Sequence, residues 1–207
     1  MLLTYEKGKK DKIHISIDGE YRLTVDAVFW YGLGIKNKTE IDEEAFEELA
    51  ESIMSRRAYN KAIDLISRRE HSRKELIEKL NQRGYQAVSD SVADRLQEKG
   101  YLDDERFAVM YANELKSRKS MGKKRIKQEL MRKGIDRDII ESVIENIDED
   151  PTGEIIDIIK RKYPKYDLDD KNRTRAINGL IRLGYSFSDI KKALVEIDNK
   201  EVFDYDI

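Results

Sequence analysis

Of the 207 residues, 40% are charged and 39% hydrophobic, against about 25% and 45–50% in ordinary globular domains. Such a chain is either disordered or folded thinly, with little interior per unit of surface, and its long apolar-periodic stretches favour the second. Cysteine is absent, which excludes disulfides and thiolate chemistry. With no long apolar run and no signal-peptide core, the expectation is a soluble cytoplasmic protein without a membrane partner.

The net charge of −2 hides segregation. Glu40, Asp42, Glu43, Glu44, Glu47, Glu48 and Glu51 form an acidic block without a base. Residues 116–137 carry ten bases and two acids, and the tail after Val195 is acidic again. Blocks of opposite sign suggest a directed electrostatic surface, although solvated helix faces would look the same.

At the N-terminus, Ile13, Ile15 and Ile17 alternate with polar residues, as do Tyr21, Leu23 and Val25, and Asp18-Gly19 marks a turn between them. This is a β-hairpin over 12–25. A plain two-residue turn would set apolar residues opposite polar ones. A three-residue connection (Asp18, Gly19, Glu20) pairs Ile17 with Tyr21, Ile15 with Leu23 and Ile13 with Val25, so a longer turn or a bulge is expected. Val28, Phe29, Trp30, Leu33 and Ile35 are the expected packing partners, on a short helix ending near Gly32 or Gly34. From Thr39 to Arg69 the sequence reads as helix, with a possible break near Ser55.

A repeat follows. Leu76, Leu80 and Gly84 form L-x3-L-x3-G; Ile126, Leu130 and Gly134 repeat it 50 residues later, and Ala176, Leu180 and Gly184 after another 50. Residues at i and i+4 share a helix face, and a glycine at the end suits the left-handed stop of a helix. A helix precedes each copy, at 58–69, 104–118 and 153–162. Another follows each glycine, carrying Val92 and Leu96, Ile140 and Ile144, and Ile190 and Leu194. The fold class expected is mainly α: three tandem three-helix repeats in an elongated curved array, after an N-terminal β-hairpin and helix. The expected divisions are 1–54, 55–103, 104–149 and 150–199, with an acidic tail at 200–207. Ser72, Ser89 or Asp90, Asp103 or Asp104, and Ser186 or Ser188 are candidate helix caps.

No catalytic constellation stands out. Phosphate-binding glycine loops are absent. His14 and His71 are the two histidines, too few for a zinc site in a chain without cysteine, and in settings that suggest no Ser-His-Asp triad. Asp103-Asp104 reads as capping, and His71 as a capping or surface residue. No metal or cofactor is expected. The basic segment is the better candidate for function. Lys116, Arg118, Lys119, Lys123, Lys124, Arg125, Lys127, Arg132 and Lys133 surround a helix start, where phosphates or acidic protein patches could dock. A second cluster holds Arg68, Arg69, Arg73, Lys74, Lys79 and Arg83, with Glu70, Glu75 and Glu78 offsetting it.

Three stretches carry a family resemblance. Arg68-Arg69-Glu70-His71-Ser72-Arg73-Lys74-Glu75-Leu76 resembles the entry to the first repeat of the RecX family. Gly100-Tyr101-Leu102-Asp103-Asp104-Glu105-Arg106-Phe107-Ala108 is similar to that family's junction between repeats one and two. Gly122-Lys123-Lys124-Arg125-Ile126 with Leu130-Met131-Arg132-Lys133-Gly134-Ile135 resembles a segment of its second repeat. The resemblance implies a non-catalytic, monomeric regulator of the RecA recombinase. Such a protein lodges in the groove of the RecA–DNA filament and inhibits ATP hydrolysis, strand exchange and co-protease activity in recombination and the SOS response. The alternative is a helical repeat protein that binds nucleic acid directly. The basic segment contains no aromatic residue, which counts against a stacking platform for single strands.

Overall fold

The computed structural model describes residues 1–147 and 151–204, with side chains described to Asn199. It divides into two compact units. One holds Met1–Arg69 with Ile77–Glu98; the other holds Glu70–Leu76 and the described chain from Lys99 onward.

The N-terminal unit begins with a four-stranded antiparallel sheet of order β3-β2-β1-β4, built from β1 (Leu2–Lys7), β2 (Lys12–Ile17), β3 (Glu20–Asp26) and β4 (Thr39–Glu40). The expected hairpin is β2–β3, so β1 and β4 are additions to it. Ile13 pairs with Val25 and Ile15 with Leu23, as expected. Ile17 pairs with Glu20 and not with Tyr21, because the turn has two residues and a bulge between Ile15 and Ser16 restores the apolar face. Trp30 of α1 (Ala27–Gly32) is fully buried beneath the sheet with Leu3, Ile15 and Ile53. Val28 is 81% exposed and Leu33 is also exposed, so these two do not join that core.

Helix α2 (Glu43–Ile66) starts after the cap Asp42, whose carboxylate accepts the Ala45 N–H at 2.8 Å. It runs unbroken through Ser55, and Thr39 and Glu40 lie in a strand, so the helix is shorter at its start and more continuous than expected. Leu49 and Ile53 serve the sheet's core. Ala58, Ala62 and Leu65 are buried further along, where α4 (Ser89–Glu98) packs against α2. Ser89 does not cap α4. It is buried in the first turn, and its hydroxyl donates to the Gln86 carbonyl.

The remaining helices are α3 (Arg73–Asn81), α5 (Asp104–Lys119), α6 (Lys123–Arg132), α7 (Arg137–Glu145), α8 (Pro151–Lys162), α9 (Asp170–Leu183) and α10 (Phe187–Asp204). Phe107, Leu115, Ile126, Leu130 and Ile140 form one core, of α5–α7. Ile155, Ile159, Ala176, Leu180, Ile190 and Leu194 form another, of α8–α10. The fold class is therefore mainly α, with three-helix repeats after a small sheet. The glycines end α3, α6 and α9 in one geometry. Gly84, Gly134 and Gly184 have φ of +84°, +76° and +94°. The N–H of the next residue (Tyr85, Ile135, Tyr185) reaches back to the carbonyl of Leu80, Leu130 or Leu180 at 3.2 Å each time. This is the helix-terminating bond that a left-handed residue permits. The acidic tail expected at 200–207 lies outside the described side chains.

Candidate functional site

The basic segment starts at a joint between backbones. Gly122 caps α6 without a side-chain bond, and its N–H donates to the Leu183 carbonyl at 2.8 Å. A Cβ on Gly122 would lie 2.7 Å from the Gly184 oxygen, and one on Gly184 would lie 2.4 Å from the Arg125 nitrogen. The same joint occurs 50 residues earlier with different chemistry. There Ser72, in place of Gly122, donates its hydroxyl to the Lys133 carbonyl at 2.7 Å while accepting the Glu75 N–H at 3.2 Å. The Lys74 ammonium reaches the Arg132 carbonyl at 3.3 Å. His71 beside it is buried, not a surface residue.

The aspartate pair caps two helices. Asp103 accepts the Arg106 N–H of α5 at 2.9 Å, whereas Asp104 accepts the Arg73 N–H at the start of α3 at 2.7 Å. Burial pushes the Asp104 carboxyl above the usual range, against the lowering effect of that hydrogen bond and of the Arg73 charge.

Most cations of the basic segment fold back onto carboxylates. Lys116 meets Glu154 at 3.1 Å, Arg118 meets Glu114 at 3.4 Å, and Arg125 and Arg132 share Glu129 at 2.8 and 3.1 Å. Lys127 pairs with Glu141, holding that carboxyl below its usual range through their hydrogen bond. Lys133 meets Glu75 at 3.4 Å and lies over the Tyr111 ring at 5.5 Å. Lys119 and Lys124 are exposed and form no ion pair among the described residues. The exposed pair Arg118–Glu114 contributes little stability, so Arg118 can exchange its carboxylate for a partner's anion at small cost. Lys116, Lys123 and Lys124 line one cleft of about 390 Å³ together with Tyr185, Ser186 and Lys192. Lys74, Arg132 and Lys133 meet at the earlier joint. Arg68, bound to Asp64 at 2.9 Å, and Arg69 belong to the N-terminal unit, while Arg73 contributes its backbone to the Asp104 cap.

Tyr185 reads in the sequence only as the apolar residue after the third repeat's glycine, and Glu154 belongs to no charge block, so neither is marked there as part of the site. The Tyr185 hydroxyl donates to Glu154 at 3.2 Å, beside Lys116. Burial, and then the Glu154 charge, push the Tyr185 hydroxyl above its usual range. Its folded pKa is therefore raised, so the stability it contributes is complete below the unfolded value of about 10 and is lost as pH rises beyond it. Alkaline denaturation followed by circular dichroism should show Tyr185→Phe losing less stability above that pH than the parent chain. Equal losses would contradict the assignment. Among the described residues, no group of three or more His, Asp and Glu side chains is placed to hold a metal ion.

Comparison with known proteins then places the chain. The family description "RecX, second three-helix domain" matches residues 103–144, and "RecX, first three-helix domain" matches 58–88. The regulatory protein RecX of Caldanaerobacter subterraneus subsp. tengcongensis is 32% identical over 202 residues, covering 94% of this chain and 98% of its own. The chain belongs to the RecX family. The regulatory protein RecX of Clostridioides difficile is 27% identical, covering 96% of this chain and 95% of its own. A crystal structure of regulatory protein RecX superposes with a TM-score of 0.71 at 20% identity, covering 93% of this chain and 97% of that one. RecX from Lactobacillus salivarius gives 0.63 at 21% identity, covering 70% and 97%. The match to the second RecX domain includes Lys116 to Lys133, the whole of the basic cluster.

Proposed function

We propose that the chain regulates the RecA recombinase by binding, without catalysis, and acts on RecA filaments assembled on DNA. It lodges in the filament's helical groove and inhibits ATP hydrolysis, strand exchange and co-protease activity. Membership of a family of regulatory proteins along nearly the whole chain carries this reading. The second three-helix domain supports it, because there the exposed cations Lys119 and Lys124 and the lysines around the 390 Å³ cleft could meet acidic groups of a filament. Arg68, Arg69, Arg73 and Lys74 of the other basic cluster are proposed as further contacts to the filament. The protein acts as a cytoplasmic monomer.

The structure guides the choice of variant. Arg125 is engaged with Glu129, and its backbone abuts Gly184, so replacing it would confuse binding with folding. Lys119→Glu with Lys124→Glu changes two exposed ammonium groups only. Inhibition of RecA-catalysed ATP hydrolysis should then require at least about tenfold more protein, as expected when two favourable charge contacts become repulsive, with helicity unchanged. Full inhibition by the folded variant would remove this patch from the proposal.

A further inference from the structure

The N-terminal unit carries a second basic surface, composed differently from the first. Residues 7–12 read Lys-Gly-Lys-Lys-Asp-Lys and form the tight connection between β1 and β2. Lys7, Lys9, Lys10 and Lys12 are exposed, and among the described residues none of them forms an ion pair. This contrasts with the basic segment of α5 and α6, where most cations have carboxylate partners.

The connection is held in shape. The Gly8 N–H donates to the Lys12 carbonyl at 2.8 Å, and the Ala27 N–H donates to the Asp11 carbonyl at 2.8 Å, tying the turn to α1. Lys10 and Asp11 have φ of 54° and 52°. Left-handed backbone suits glycine or asparagine better than lysine, so a lysine here is held at an energetic cost. The arrangement projects the ammonium groups from a fixed frame.

Lys12 also lines a cleft of about 440 Å³ between β3 and α2, with Arg56 and Arg57 on the opposite wall. The Arg56 guanidinium lies 5.8 Å from the Phe29 ring centroid and has no carboxylate partner among the described residues, and its Nε is buried without a hydrogen-bond partner. Arg57 donates to the Thr24 carbonyl. The acids lining the cleft are already occupied. Asp26 caps α1 by accepting the Phe29 N–H at 2.9 Å, and Asp64 is shared by Lys61 and Arg68 at 2.8 and 2.9 Å. Turn and cleft together hold more cations (Lys7, Lys9, Lys10, Lys12, Arg56, Arg57 and Lys61) than carboxylates (Asp11, Asp26 and Asp64), so their net charge is positive.

We propose that the β1–β2 turn and the adjoining cleft form a binding site for the phosphodiester backbone of a nucleic acid, with Lys9, Lys10, Lys12, Arg56 and Arg57 as the phosphate contacts. Ammonium groups on flexible stems respond to charge density more than to shape. That suits the closely spaced phosphates of a nucleic acid, and the guanidinium groups add forked donors matched to one phosphate. The site is independent of the filament-binding reading, since it requires no RecA.

The test uses the full chain and a labelled oligonucleotide, single-stranded and as a duplex, titrated across a series of salt concentrations. Lys9→Glu/Lys10→Glu/Lys12→Glu should weaken binding at least about tenfold and lower the salt slope by about one per lysine contacting a phosphate. The neutral variant Lys9→Gln/Lys10→Gln/Lys12→Gln, checked for native helicity, should lose a similar slope and decides the matter if charge reversal perturbs folding. Unchanged affinity and slope in the folded variants would overturn the proposal. So would loss of binding to polyglutamate with oligonucleotide binding intact, which would reassign the surface to an acidic protein partner. Either failure leaves inhibition of RecA ATP hydrolysis as a separate readout for the filament proposal.

Discussion

Gly184→Ala is expected to lower the unfolding free energy by about 3–4 kcal/mol, and Gly84→Ala by only about 1 kcal/mol, although both glycines end equivalent helices at nearly the same φ. A residue with a Cβ pays for left-handed backbone about 1–2 kcal/mol at either position. The surroundings make the difference. A Cβ at Gly84 meets nothing within 4 Å, whereas one at Gly184 lies 2.4 Å from the Arg125 backbone nitrogen. Backbone cannot rotate away, so α6 and the α9 turn must separate, which adds about 1–3 kcal/mol as other overpacked sites do. Gly134 stands between them. Its Cβ would meet the Lys74 side chain at 2.6 Å, part of which can move aside. Urea denaturation of the three alanine variants should rank them Gly84, Gly134, Gly184 in rising loss. Equal losses would mean that the joint between α6 and α9 adds nothing to the cost of the backbone conformation.

Removing the carboxylate of Asp104 should cost about 1–3 kcal/mol, because the N–H of Arg73 at the start of α3 loses its acceptor in a half-buried place. Asp103→Ala should cost about 1 kcal/mol, the usual value of a cap at a more exposed helix start. Asp104→Asn keeps an acceptor and should stay close to the parent at neutral pH. It also removes a titration. Burial raises the folded pKa of Asp104 above the ordinary aspartate value of 3.8, so the fold holds that proton more tightly than the unfolded chain does. The corresponding stability is present below 3.8 and is lost as pH rises through the folded value. The stability of the parent relative to Asp104→Asn should therefore decline over that window, as measured by urea denaturation at a series of pH values. A difference independent of pH would contradict the assignment.

The repeat was legible because its signals are local. A leucine ladder and a left-handed glycine depend on neighbours a few residues away, and their spacing of 50 makes each copy a check on the others. The register of β2 and β3 was half legible. The alternation fixed Ile13–Val25 and Ile15–Leu23 and required an irregularity, but could not place it in the strand rather than in the turn. Strand β1 was missed because exposed Leu2 beside buried Leu3 breaks the alternation that Leu3 and Tyr5 would otherwise show. Ser55 lies in the middle of α2, where burial of Ile53 and Ala58 on either side outweighs its weak helix propensity. In the candidate site the cations were visible as a charge run, but their partners were not. Lys116–Glu154, Lys133–Glu75 and the Asp104 cap on Arg73 join residues far apart in sequence, and only packing brings them together. The lysines of residues 7–12 give no such signal, because charges on a short turn look like an ordinary solvated loop until the lysines' lack of ion-pair partners is seen.

If this RecX-family chain acts on RecA filaments, it binds them in preference to bare DNA. Co-sedimentation of the chain with RecA filaments on single-stranded DNA, against the same DNA alone at matched salt, tests it most directly. Retention with the filament should lie well above retention on bare DNA. Equal retention on both, or retention on bare DNA alone, would contradict it.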